Sequence, residues 1–130
     1  MPRFVLLRHE VPEAFSRPSH WDLMFEDGDS LLTWAIEQLP VVGQSLAALQ
    51  LPPHRLVYLD YEGPVSGNRG TVSRTDRGEF DWQFRTEMEW RVELRGERLR
   101  GIMTMLAPSD PHQCWLLTLS ADASATRAGD

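Results

Sequence analysis

At 130 residues, with 13 basic and 19 acidic side chains and a formal charge of −6, the chain has the size of one domain and an acidic balance. All 13 basic residues are arginine, which excludes every mechanism needing a lysine: Schiff-base chemistry, P-loop phosphate gripping and nucleotidyl transfer through an ε-amine. A hydrophobic content of 42 % with five tryptophans excludes a disordered chain, and the net charge argues against a nonspecific nucleic-acid coat.

Period-2 alternation predicts strands near 3–8, 20–26, 30–36, 55–61, 69–75, 79–86, 88–95, 98–106 and 114–119. The clearest runs set Phe80, Trp82 and Phe84 against Asp81, Gln83 and Arg85, then Met88, Trp90, Val92 and Leu94 against Glu89, Arg91, Glu93 and Arg95. Residues 10–19 hold two prolines and no clean period, so they read as a loop between the first two strands. Turn signals fall at Asp27-Gly28, Asp76-Arg77-Gly78 and Gly96-Glu97. Residues 41–50 are open between a helical turn and a strand. Residues 121–130 read as a disordered tail, which leaves one domain over 1–120. Many short strands with close turns predict an all-β fold, an antiparallel barrel or sandwich.

Charge is uneven along the chain: residues 1–62 carry four arginines against nine acids, and residues 63–106 carry eight against seven. A single cysteine, Cys114, gives no sign of an oxidising compartment. The apolar run Phe4–Leu7 is too short for a signal-peptide core, and no run of about 18 apolar residues fits a membrane span. The expectation is a cytoplasmic protein with no membrane partner.

Four histidines are the natural candidates for chemistry. In His20-Trp21-Asp22 the imidazole and the carboxylate share one face of a strand. His9 ends the first strand, and an antiparallel return would set it opposite that pair. Two imidazoles and one carboxylate make a mixed N/O site for a divalent ion with positions left open for water or substrate. From spacing alone a hydrogen-bonded same-face pair is the commoner reading of such a pattern, ahead of a metal site. His54 reads as a strand-entry residue, His112 as a solvated loop histidine, and the tryptophans as core. Tyr58 and Tyr61 fall on opposite faces of one predicted strand, so at most one is expected to be buried.

Phe4-Val5-Leu6-Leu7-Arg8-His9, His20-Trp21-Asp22-Leu23, Leu32-Thr33-Trp34-Ala35-Ile36 and His54-Arg55-Leu56-Val57-Tyr58-Leu59-Asp60-Tyr61-Glu62-Gly63 follow in an order that resembles a known family. So do Gly70-Thr71-Val72, Asp76-Arg77-Gly78, Leu94 to Gly101 and Trp115-Leu116-Leu117. The chain resembles the phosphoesterase domain of bacterial DNA ligase D, a module of end-joining repair enzymes, from Phe4 to about Leu119. The resemblance implies a small closed antiparallel β-barrel of about eight or nine strands with a polar active-site hollow. It implies a divalent metal, manganese or alternatively zinc, on His9, His20 and Asp22. It gives His54 and Tyr58 contact with the reacting phosphate. The implied substrate is a DNA 3′ end, or another phosphate ester, losing a terminal ribonucleoside or phosphate, with a separate ligase or polymerase as partner.

Departures from the family accompany the match. Met24 stands where the family has an arginine, Gln38 where it has a lysine, and Arg55 where it usually has proline. The His9–His20 interval is longer by several residues. Two cations of the phosphate grip are therefore missing, and Arg8, Arg17 and Arg69 are the candidates to replace them. Two alternatives follow. One keeps the barrel as a metal- or nucleic-acid-end-binding module without turnover; the other builds a non-haem iron site from His20, Asp22 and His112.

Overall fold

The computed structural model describes residues 1–12 and 18–121. The expected Arg17 and all but Ala121 of the expected tail lie outside the described residues. Nine strands form one antiparallel sheet: β1 Arg3–Glu10, β2 His20–Asp27, β3 Ser30–Ile36, β4 Ser45–Arg55, β5 Gly63–Pro64, β6 Thr71–Arg85, β7 Glu89–Gly96, β8 Arg100–Leu106 and β9 Trp115–Ser120. Their order is β1-β2-β3-β4-β9-β8-β7-β6-β5, and β1 also pairs with β6. That last pairing closes eight strands into a barrel and leaves the two-residue β5 outside the ring. No described helix is long and apolar enough to cross a membrane.

Alternation sorts the apolar residues into two bodies. Phe4, Leu6, Phe25, Trp34, Phe80, Val92, Met103, Trp115 and Leu117 point inward and fill the barrel. Trp34, Phe25 and Phe80 are fully buried and meet edge-on, with Trp90, Trp115 and Trp82 closing round them. Burying one such ring stabilises by about 1.5–3 kcal/mol, so this packed interior is the main source of stability. A second cluster of Val5, Leu7, Met24, Leu31, Leu59 and Val72 lies on the opposite faces of these strands, outside the barrel wall. The segment carrying Leu56, Tyr58, Tyr61 and Val65 covers it. The polar hollow expected of the family therefore lies on the outer wall, because aromatic rings occupy the interior.

Three expected features are corrected. The predicted strand at 55–61 is instead the end of β4 followed by a single 3₁₀ turn, Leu56–Leu59. Of the open segment 41–50, residues 45–50 form the start of β4, and a turn at Val42-Gly43 precedes them. Pro52-Pro53 do not stop this strand, because β9 pairs only with Ser45–Ala48 and leaves the rest of β4 at an open edge, where proline is tolerated. The predicted strands 69–75 and 79–86 are one strand, β6, and Asp76-Arg77-Gly78 lies within it. This strand passes from pairing β1 to pairing β7 near Gly78, where an added Cβ would meet the Arg95 carbonyl at 2.2 Å. The glycine there serves close strand approach. Tyr58 and Tyr61 consequently do not alternate: both are half-buried, with rings edge-on at 5.9 Å.

Candidate metal centre

The register of β1 against β2 sets His9 directly opposite His20 and Leu7 opposite Asp22. His20 and Asp22 are two apart on β2 and share its outer face, as the sequence pattern requires. Nδ1 of His9 lies 3.5 Å from Asp22 Oδ2, and Nε2 of His20 lies 3.0 Å from Asp22 Oδ1. One ligand atom from each of the three lies within 4.8 Å of the others. Two ligands of one ion, each about 2.1 Å from it, stand roughly 3 Å apart, so the two histidine–aspartate distances are consistent with a single divalent ion.

Orientation of the rings strengthens that fit. His9 Nε2 donates to the Arg69 carbonyl at 2.8 Å, and His20 Nδ1 donates to the Pro18 carbonyl at 2.9 Å. Each imidazole thus spends one N–H on a backbone carbonyl and turns its other nitrogen toward Asp22, the arrangement that fixes tautomer and raises basicity in metal-bound histidines. The approach of Arg69 to His9 depends on Gly70, at φ +97°, where a Cβ would meet the Glu10 carbonyl oxygen at 1.9 Å. His20 and Asp22 are each 3 % exposed. Burial alone would push the Asp22 carboxyl up, but hydrogen bonds from His20 and His9 and their charge outweigh it and hold it at about 2. At neutral pH the carboxylate is ionised, as a cation ligand must be.

A cleft of about 300 Å³ opens over these residues, lined by His9, Val11, His20, Asp22, Leu51, Pro52, His54 and Arg69. His54 Nδ1 donates to the Pro52 carbonyl at 2.8 Å, which leaves its lone pair on Nε2. The same Pro-x-His device orients His20 and His54, a signal present in Pro18-Ser19-His20 and Pro52-Pro53-His54 that sequence reasoning passed over. Tyr58 does not line the cleft among the described residues; its ring meets His54 edge-on at 6.0 Å.

The candidate cations separate clearly. Arg69 lines the cleft, with Nε and Nη2 held by the Ser66 carbonyl and hydroxyl at 2.7 and 3.1 Å. Arg8 sits on the opposite face of β1 from His9, stacks over Trp21 at 4.2 Å and bonds Glu10 at 2.9 Å. Arg17 lies outside the described residues. Met24 is 1 % exposed on the same face as Asp22, inside the outer cluster, and Gln38 is exposed just beyond β3. His112 lies exposed in the connection between β8 and β9 and is not part of the group that converges, so the His20–Asp22–His112 iron site is not assembled among the described residues.

No curated protein matches the chain. Comparison with protein families matches residues 9–107 to the DNA Ligase D 3′-phosphoesterase domain. The matched stretch contains His9, His20, Asp22, His54 and Arg69 and seven of the eight barrel strands in full or in part. On that match, over most of its length, the chain belongs to the DNA ligase D 3′-phosphoesterase domain family.

Proposed function

We propose that this protein is a metal-dependent phosphoesterase acting on 3′-terminal phosphate or ribonucleotide ends of DNA. The observation that carries the reading is the convergence of His9, His20 and Asp22, each imidazole pinned from behind by a backbone carbonyl. Family membership supplies the phosphoester class. A divalent ion, manganese in this reading, would be held by these three residues and would polarise the scissile phosphate.

The chain's own residues carry the remaining steps. His54 stands on the wall of the same cleft with Nδ1 committed to Pro52, so Nε2 is the nitrogen that meets the phosphate. In its protonated form that nitrogen donates to the developing negative charge or passes a proton to the leaving oxygen. Tyr58 packs on His54 and holds its ring angle; it is a positioning residue. Arg69, preset by Ser66, supplies the cation that Met24 and Gln38 do not. The negative charge of Asp22 disfavours a phosphate beside it unless a cation offsets it, which ties substrate binding to metal.

The test is to incubate the protein with manganese and a primer carrying either a 3′-phosphate or one 3′ ribonucleotide. The reading predicts release of phosphate or of the terminal nucleoside, a loss of about 10²–10⁴-fold in rate for His54→Ala, and a smaller loss for Tyr58→Ala, which removes the packed ring, with Tyr58→Phe restoring the rate. Absence of cleavage of both primers by metal-loaded protein contradicts the catalytic reading. If such protein still binds the 3′-phosphorylated end in a salt-dependent way, it is the binding module without turnover.

A further inference from the structure

A second hollow adjoins the cleft of the metal centre, and the two share His20 as a common wall. It measures about 280 Å³ and is lined by Pro18, His20, Ala35, Glu37, Ala47, Leu49 and Cys114. Register explains how it arises. Ala35 on β3 stands beside Asp22 and across from Leu49 on β4, so small side chains floor a shelf that runs from the triad over β3 and β4 toward β9.

The two hollows have opposite chemistry. The triad cleft offers His54 and Arg69, groups that suit a phosphate. The shelf offers proline, alanine and leucine surfaces, and its one charge among the described residues is the carboxylate of Glu37. Among the described residues no arginine lines the shelf, so a phosphate there would face that carboxylate, an unfavourable like-charge contact. An uncharged ring with hydroxyl or amine donors suits both the apolar floor and the acceptor at its edge. The volume lies at the lower end of the range for small-molecule sites, roughly 300 Å³, which matches one nucleoside and not a longer stretch of strand.

We infer that the shelf seats the terminal ribonucleoside of the strand while its phosphate lies in the triad cleft, with Glu37 accepting a hydrogen bond from that nucleoside. This rests on the proposed 3′-end activity and adds its substrate side. Hydrolysis breaks the bond between phosphorus and the nucleoside's 5′ oxygen. Water supplies the hydroxyl that stays on phosphorus and the proton that leaves with the nucleoside, so the shelf holds the leaving group. A strand ending in a 3′-phosphate has no such nucleoside and does not use the shelf.

Cys114 makes this directly measurable, because it is the chain's single cysteine, is exposed and forms part of the shelf wall. Its alkylation by N-ethylmaleimide is followed by mass spectrometry with manganese and saturating primer. One primer ends in a ribonucleotide whose scissile oxygen is replaced by a methylene group; the other ends in a 3′-phosphate. The ribonucleotide primer should slow alkylation at least fivefold and the 3′-phosphate primer less than twofold. Wild-type protein already alkylated at Cys114, which needs no refolding, should lose about tenfold in ribonucleoside release and keep phosphate release, and Glu37→Gln should do the same more mildly. Equal alkylation with both primers, or equal loss of both activities, overturns the shelf assignment. Protection without any turnover keeps the shelf and overturns the catalytic reading alone.

Discussion

Two aspartates lie buried in this barrel at nearly the same exposure, 3 % for Asp22 and 2 % for Asp76, and their surroundings could hardly differ more. Asp76 Oδ1 accepts the backbone N–H groups of Arg77, Glu97 and Arg98 at 2.8, 3.0 and 3.1 Å, and Oδ2 accepts that of Leu99 at 2.7 Å. Its charge is consumed in tying β6 to the turn between β7 and β8. Gly96 is part of the same knot, since a Cβ there would meet Asp76 Oδ2 at 2.5 Å. Asp22 takes no hydrogen bond from the described backbone and faces two imidazoles. Burial by itself does not mark a functional carboxylate. What marks it is a charge whose partners are side chains able to ligate a metal, and whose oxygens are not already satisfied by the main chain.

Matched substitutions break this comparison most sharply. Asp76→Asn would point an amide donor at backbone donors and should cost about 3–4 kcal/mol of stability, read as a lowered urea midpoint, while the folded fraction keeps its metal affinity. Asp22→Asn should cost about 1–2 kcal/mol, the worth of its two imidazole contacts, but should weaken metal binding at least about 100-fold. The two outcomes exchanged would mean that Asp76 is the functional carboxylate.

Acid tests Asp22 directly in the metal-free protein. The Asp22 carboxyl is held at about 2, below its ordinary 3.8. Its folded value is depressed, so its stabilisation is complete above about pH 4 and is lost as pH falls through that window toward 2. Asp22→Asn should flatten the acid-unfolding curve over this interval, checked by circular dichroism against pH.

Two further substitutions test the positions of Met24 and Gln38. Met24→Arg would bury a guanidinium in the outer cluster and should destabilise without restoring a phosphate grip. Gln38→Lys lies on exposed chain and should change stability by less than about 0.5 kcal/mol. Its expected gain is a lower KM for a 3′-phosphorylated primer with kcat little changed.

Much of this was legible from sequence, for a physical reason. Alternation with one face buried fixes strand identity, so β1, β2, β3 and β7 read within one or two residues of their observed bounds. Antiparallel return of the chain was enough to bring His9 onto His20-x-Asp22. Signals that depend on neighbouring strands did not read correctly. Pro52-Pro53 looks like a break until β9 is seen to stop at Ala48, and Asp76-Arg77-Gly78 looks like a turn until its carboxylate is seen to cap another. His54 entered through the family resemblance, since nothing local distinguishes it from a strand-entry histidine. The shelf was not legible at all, because Ala35, Ala47 and Cys114 acquire meaning only from register.

Everything proposed for this barrel rests on His9, His20 and Asp22 forming one divalent metal site. Because both histidines already donate one N–H to a carbonyl, an ion there must displace protons from the inward nitrogens or find them unprotonated. Titration of manganese into wild-type protein by calorimetry, repeated in buffers of different ionisation enthalpy and with Asp22→Asn, reads site number and proton release together. One site in the wild type, affinity that falls with acid, and no measurable binding in the variant are expected. Equal manganese binding by the wild type and Asp22→Asn, or none by the wild type, would contradict that site.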